Sequence, residues 1–317
     1  MTARWARGPR TLQPILLGAV LVALVVGFGL ATERFLTTTT LRTIANQVPE
    51  LVIAAVGLTF VLVIGGIDLS VGAVLALTSS VLGLGLLQMS LGLPAAAALA
   101  LVAGLAGGLW NGFLSVDLRL PSFIVTLGTM EMARGLTYLI TRSQTQYVGE
   151  RVEWLAAPTS FGLSLAFLAA TGLVVLGEFV LHRTVFGRHA IAIGTNEEAV
   201  RLAGIDPRSV KRAIFAAAGL LAGVAGIVNT ARLGAADPNA GLGFELQVIA
   251  AVVVGGTRLM GGHGSVVGSF LGVLIIAVLG SGLAQAGAQE PTKRLVTGAV
   301  IVAAVVADRL RQRGDPT

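Results

Sequence analysis

His182–Arg212 reads HRTVFGRHAIAIGTNEEAVRLAGIDPRSVKR, and it is the one polar island in an otherwise oily chain. It carries nine of the 38 charged side chains, six of them Arg or Lys. Around it almost every residue is Ala, Val, Leu, Ile or Gly. Over 317 residues the apolar side chains make up 55% and the charged ones 12%, with a mean hydropathy of +0.86. A soluble domain carries about a quarter charged residues. The apolar residues also fall in runs near 20, the length that crosses about 30 Å of hydrocarbon as helix. This composition specifies an all-α, polytopic membrane protein and excludes a water-soluble enzyme.

Ten spans are expected, at about 14–31, 45–64, 70–89, 92–115, 121–141, 162–181, 213–231, 246–260, 264–284 and 292–308. The eighth and tenth are short enough to be re-entrant or broken. This divides the chain into an N-terminal tail (1–13), a transmembrane domain (14–308) and a C-terminal tail (309–317). Arg4, Arg7 and Arg10 before the first apolar run resemble a signal peptide. The run is long and no A-x-A cleavage site follows it, which favours a retained first helix.

Basic residues report orientation. With the N-terminus inside, inside segments hold 14 Arg or Lys, outside segments hold about seven, and Arg134 lies within a span. That twofold bias places both termini and the 182–212 loop in the cytoplasm. The +6 net charge therefore carries no nucleic-acid signal. There is no Cys, which removes disulfides and thiol chemistry, and His182, His189 and His263 show no metal-ligand spacing.

Small residues repeat every fourth position at Gly104, Gly108 and Gly112, at Gly264, Gly268 and Gly272, and at Gly219 and Gly223. Such ladders let helix backbones approach where lipid supplies no hydrophobic drive between helices. Two stretches read as broken helices. Val61–Ile64 runs into Gly65-Gly66-Ile67-Asp68-Leu69-Ser70, and Val252–Val254 runs into Gly255-Gly256-Thr257-Arg258 and then Gly261-Gly262-His263-Gly264-Ser265. Breaks in corresponding places point to two internal repeat halves, a pattern common in transporters.

Polar groups inside spans are candidates for a translocation path or gate. Asp68 suits either that role or the capping of the following helix, where its oxygens accept backbone N–H groups. Glu131 and Arg134 lie on one face of the fifth span, where they either pair at i,i+3 or line a wet cavity. Asn111, Thr126 and Thr129 are milder polar groups that suit interhelical hydrogen bonds or ligand contact. In the polar loop, Thr195-Asn196-Glu197-Glu198 reads as a helix start with Thr195 as cap and Glu198 at the capping-box position, and Gly204 as its stop. A short amphipathic helix there suits docking of a cytoplasmic partner. Gly261-Gly-His-Gly-Ser265 is no phosphate-binding loop, which needs G-x-x-x-x-G-K-[ST]. Energy from ATP would enter through another chain.

Four segments resemble the inner-membrane permeases of bacterial ABC importers for monosaccharides, of the ribose/xylose/galactoside type within the branched-chain amino acid/ribose permease superfamily. They are GGIDLSVGAVLAL (65–77), LRLPSFIVTLGTMEMARGL (118–136), FGRHAIAIGTNEEAVRLAGI (186–205) and GFELQVIAAVVVGGTRLMGGHGSVVGSFLG (243–272). The likeness runs from about Asn46 to Arg309. It implies a bacterial inner-membrane subunit without chemistry of its own, working as a pair of permease copies, homodimeric or heterodimeric. Its partners would be a cytoplasmic ATPase, which binds the ATP and Mg, and a periplasmic or lipid-anchored sugar-binding protein. No cofactor would reside on this chain. The resemblance makes the 187–205 stretch, with Gly187, Thr195, Asn196, Glu197, Glu198, Arg201 and Gly204, the coupling helix that fits the ATPase. The family often has an aromatic residue and a second Gly where Ile191 and Thr195 stand here. A secondary transporter would need ionisable groups near the midplane, and only Glu131 and Arg134 qualify. Permeases for branched-chain amino acids or nucleosides share the architecture and remain the rival substrate classes.

Overall fold

The computed structural model describes residues 12–313. All but residues 12 and 13 of the expected N-terminal tail, and residues 314–317 of the C-terminal tail, lie outside the described residues. The chain begins with α1 (Leu12–Ala31), α2 (Thr38–Gln47), α3 (Pro49–Val63), α4 (Val71–Leu87) and α5 (Leu93–Gly112). A π-helical turn (Phe113–Asp117) continues α5 and leads to α6 (Ser122–Thr141). Next come β1 (Gln146–Tyr147), α7 (Glu150–Glu153), α8 (Leu165–Arg183), α9 (Val185–Thr195), α10 (Glu197–Leu202) and α11 (Pro207–Leu233). The last elements are β2 (Ala235–Ala236), α12 (Phe244–Val254), α13 (Val266–Gln285) and α14 (Glu290–Arg313).

Helix ends follow local chemistry. The Thr37 side chain accepts the Thr40 N–H and starts α2, while Pro49, Pro94 and Pro207 stand in the first turns of α3, α5 and α11. A missing N–H costs nothing there, because first-turn donors have no intrahelical partner. Five helices, α1, α5 with its π-helical turn, α8, α11 and α13, are long and apolar enough to cross a membrane. The pair α2–α3, bent by 46°, makes a sixth if counted as one span, and α4 and α12 are apolar but shorter. The chain is thus a multi-pass helical membrane protein with almost no sheet; β1 and β2 pair antiparallel over two residues each.

At the centre stands α3, with every residue but Phe60 buried. A helix apolar all round needs such a place. The long α11 packs against α3, α4 and α5. Glycines set its closest approach: a β-carbon on Gly104 or Gly108 of α5 would strike the Gly219 or Phe215 carbonyl of α11, and Gly112 lies against Phe215 and Arg212. Gly268 and Gly272 of α13 press on Gly255 and Ala251 at the end of α12. Gly264 differs from the sequence reading: it precedes α13 and packs on Val63 and Thr257, because Ser265 caps the helix by accepting the Gly268 N–H. At one end of α11, the Arg232 guanidinium donates to both carboxylate oxygens of Glu50 in the first turn of α3, at 2.7 and 3.1 Å.

Gly108→Leu places a four-carbon side chain where the Phe215 carbonyl and Gly219 leave no room. We expect a loss of about 2 kcal/mol or more, given that overpacking a tight core costs about 1–3 kcal/mol. Thermal unfolding in detergent measures it, and an unchanged midpoint would remove α5–α11 contact as a stability determinant.

Candidate functional site

Both breaks begin the same way. At the end of α3 the Gly65 N–H bonds to the Leu62 carbonyl and the Gly66 N–H to the Val61 carbonyl, with Gly65 at φ +76°. At the end of α12 the Gly256 N–H bonds to Val253 and the Thr257 N–H to Val252, with Gly256 at φ +88°. Each is a Schellman closure, which needs a left-handed residue that only glycine adopts without strain. The paired glycines read from the sequence thus act one at a time, the first of the pair in one break and the second in the other.

Beyond Gly66 the chain has no ladder of its own, and neighbouring helices satisfy it. The Ser122 hydroxyl accepts the Ile67 N–H at 3.0 Å, and the Thr126 hydroxyl accepts the Leu69 N–H at 3.0 Å. Asp68 is buried, and one of its oxygens accepts both the Ser70 N–H at 2.8 Å and the Ser70 hydroxyl at 2.6 Å. The Asn111 amide donates to that hydroxyl at 2.9 Å, leaving its own oxygen without a partner among the described residues. Three candidate path residues, Asp68, Asn111 and Thr126, therefore hold one break. Asp68 does not stand at the capping position of α4, which Ser70 occupies; it fixes the turn ahead of the helix. In the first turn of α4, Gly72 packs on the Gly241 carbonyl, Phe244 and Glu245, so the first turns of α4 and α12 meet. With 11 residues, α12 is only about 16 Å long at 1.5 Å per residue and covers about half of a hydrocarbon core.

Glu131 and Arg134 separate. The Arg134 guanidinium donates to the Pro238 carbonyl at 3.1 Å and the Ala240 carbonyl at 2.7 Å, whereas Glu131 is exposed and outside every ion pair among the described residues. The i,i+3 pairing is therefore corrected, since backbone carbonyls between β2 and α12 hold the guanidinium instead. Glu131 shares an exposed stripe of α6 with Ile124, Gly128 and Gly135, while Thr126, Thr129, Ala133 and Thr137 form the buried side.

The polar island folds as two helices rather than one. Thr184 caps α9 by accepting the Gly187 N–H, and a β-carbon on Gly187 would strike the Leu181 carbonyl, so α9 folds tightly back on α8. Its other end wedges between the two breaks: a β-carbon on Gly194 would collide with the Val63 carbonyl and lie 2.5 Å from the Gly262 nitrogen. The Gly262 N–H in turn bonds to that same Val63 carbonyl at 2.9 Å. Thr195 is the last residue of α9, its hydroxyl donating back to Ile191 at 2.8 Å. This corrects the capping-box reading. Asn196, in extended conformation, caps α10 by accepting the Ala199 N–H at 3.0 Å. Glu198 pairs with Arg201, whose pKa its carboxylate raises further above the ordinary guanidinium value. Glu197 accepts from Lys211 of α11 at 2.6 Å, and Gly204 closes the turn at φ +81°. Thr195–Ala199 and Arg201–Gly204 form one exposed knob on a buried base of Ala190, Ile193 and Val200. Leu202, 79% exposed at its tip, was not singled out by the sequence reading. An exposed Leu between charged residues on a helix start was its available signal.

A family described as "Branched-chain amino acid transport system / permease component" matches residues 40–305. Among curated proteins, the chain is 36% identical over 317 residues to the ribose import permease protein of Escherichia coli (strain K12), covering 98% of this chain and 96% of that one. It is 37% identical over 295 residues to the D-allose transport system permease protein of the same strain, covering 92% and 90%. To the strain's xylose transport system permease protein it is 32% identical over 367 aligned positions, covering 95% and 93%. No solved structure matches the chain.

Asp68→Ala would leave the Ser70 N–H and hydroxyl facing an empty space inside the protein. A buried donor left unpaired costs about 1–3 kcal/mol, so a loss near 2 kcal/mol is expected, and Asp68→Asn, which keeps an acceptor oxygen, should lose less than about half of that. Thermal unfolding of the two variants in detergent distinguishes them. Equal losses would mean that the charge, rather than the acceptor, holds the break.

Proposed function

The chain belongs to this permease-component family, and from that premise we propose that it is the membrane-spanning permease of an ABC importer for a monosaccharide. As a permease component it is a non-catalytic subunit. The observation that carries the reading is the α9–α10 knob. It is exposed, charged, tipped with Leu202, and wedged at its base between the two breaks that interrupt the spans. A partner seated on that knob pushes directly on both. The chain has no phosphate-binding loop, so that partner is a cytoplasmic ATPase, which holds the ATP and Mg; no cofactor resides here. A binding protein outside delivers the solute. The full-length relatives are named for ribose, D-allose and xylose, which favours a sugar over the amino acids in the family's description.

The finer arrangement is proposed with it. Ten spans in two repeat halves accord with the matching Schellman closures at Gly65 and Gly256. The excess of Arg and Lys places both termini and the knob in the cytoplasm of a bacterial inner membrane. Gly187, Thr195, Asn196, Glu197, Glu198, Arg201 and Gly204 form the ATPase-coupling surface. A second permease copy covers the Glu131 stripe of α6. A carboxylate at the centre of a spanning helix costs about 2.5–3.5 kcal/mol against lipid, so it faces a wet cavity between two copies. Asp68, Asn111, Thr126, Glu131 and Arg134 then lie along the path or its gate.

Purification of the tagged chain in mild detergent should bring a stoichiometric ATPase bearing a phosphate-binding loop. A chain that comes out alone and takes up solute on an ion gradient would sink the proposal. Reversing the charges of Glu197, Glu198 and Arg201 together should reduce ATP-driven uptake at least about tenfold and weaken ATPase retention, with unfolding temperature unchanged, since exposed pairs contribute about 1 kcal/mol or less. Glu131→Leu should lower uptake by a similar factor without loss of stability, because it removes a charge that the fold itself does not pair; full activity would take Glu131 off the path.

A further inference from the structure

The start of α13 is closed by a carboxylate from another span. Four N–H groups at a helix start have no intrahelical partner. The Ser265 hydroxyl takes that of Gly268 at 3.0 Å, and the Ser265 carbonyl takes that of Ser269 at 3.0 Å. The Val266 and Val267 N–H groups both donate to one oxygen of Glu178 on α8, at 2.7 and 3.1 Å. The other oxygen lies 3.3 Å from the His182 imidazole one turn along α8. Gly177 makes this approach possible: a β-carbon there would come within 3.0 Å of Val56 and 3.3 Å of Val266. A carboxylate at this spot meets both the orphan donors and the positive end of the helix dipole.

Its position gives the contact a further consequence. Glu178 stands five residues before the end of α8, which turns at Thr184 straight into α9. Ser265 ends the second break, whose Gly262 sits on the Val63 carbonyl against Gly194 and Thr195 of α9. The docking helix and the second break therefore touch at two places: through backbone at Gly194–Gly262, and through the Glu178 side chain at the start of α13.

We infer that Glu178 is a positioning residue for transport, a strut that makes the inner half of α8, α9 and the start of α13 move as one body when the knob is displaced. The inference rests on the importer reading given above. Without the strut, motion of α9 is absorbed by sliding of α8 past α13 and does not reach the path.

The test uses the complex with its ATPase and binding protein in proteoliposomes, with whichever of ribose, D-allose and xylose the wild-type complex takes up. Uptake and ATP hydrolysis are measured per assembled complex. In Glu178→Ala the ratio of uptake to hydrolysis should fall about tenfold, the scale expected from losing two charge-assisted hydrogen bonds. Glu178→Gln, whose amide oxygen still accepts, should stay within about threefold of wild type. Val266→Pro attacks the same bond from the other side. Val266 is the first residue of α13 and follows an extended Ser265 (φ −145°, ψ 126°), so proline fits the backbone and removes only the N–H. It should lower the ratio by about threefold or more, one strong hydrogen bond being lost. A merely structural cap lowers both rates together, in step with the amount of folded complex, and that result overturns the inference. Should Glu178→Ala fail to accumulate, an unchanged ratio in Val266→Pro overturns it alone. A wild-type complex with no ATP-driven uptake of any of the three sugars fails earlier and sinks the importer reading itself.

Discussion

In a lipid environment every backbone N–H and C=O has to find its partner within the protein, at several kcal/mol for each one left alone. This protein interrupts two apolar helices under that constraint, and much of its polar chemistry sits where the interruptions are. Ser122, Thr126 and Asn111 are side chains of α5 and α6, yet the backbone and side-chain groups that they satisfy belong to the stretch between α3 and α4. The Val63 carbonyl and Glu178 serve the second break in the same way. Few polar residues are spent elsewhere in the spans.

The arrangement also explains where the small residues fall. Gly104 and Gly108 let α5 lie close enough to α11 for Asn111, one turn further along α5, to reach Ser70. Gly177 lets α13 come close enough for Glu178 to cap it, and Gly194 lets α9 enter the corner between the breaks. In each case an absent side chain buys the approach of a polar group two to four residues away.

The sequence announced much of this and hid the rest for definable reasons. Apolar runs and paired glycines were visible, because both are patterns in the chain itself. Asp68, Asn111 and Thr126 stood out as polar residues in oily surroundings, although only the fold brings them to one turn. Glu131 and Arg134 misled, because their spacing suits a pair and nothing local reveals that the Pro238 and Ala240 carbonyls come down to Arg134. Thr195 and Asn196 are both good caps, and the choice fell on the wrong one because α9 extends one residue further, through the bond from the Thr195 hydroxyl to Ile191. Glu178 gave no signal. A carboxylate near the end of a span reads as a boundary residue, and its partners are two backbone amides 88 and 89 positions later.

The 27 residues of α11 make a rod about 40 Å long at 1.5 Å per residue. Its far end is held to α3 by the fork between Arg232 and Glu50, and its near end is tied to the knob by Lys211 and Glu197. A rod anchored at one end and pushed at the other is a lever. At that length a swing of about 5° carries the near end roughly 3.5 Å sideways, close to a carbon–carbon contact distance. Glycine-lined faces slide by such amounts without unlocking interdigitated side chains, which suits α5 and α11 to act as the bearing surfaces on which the lever turns.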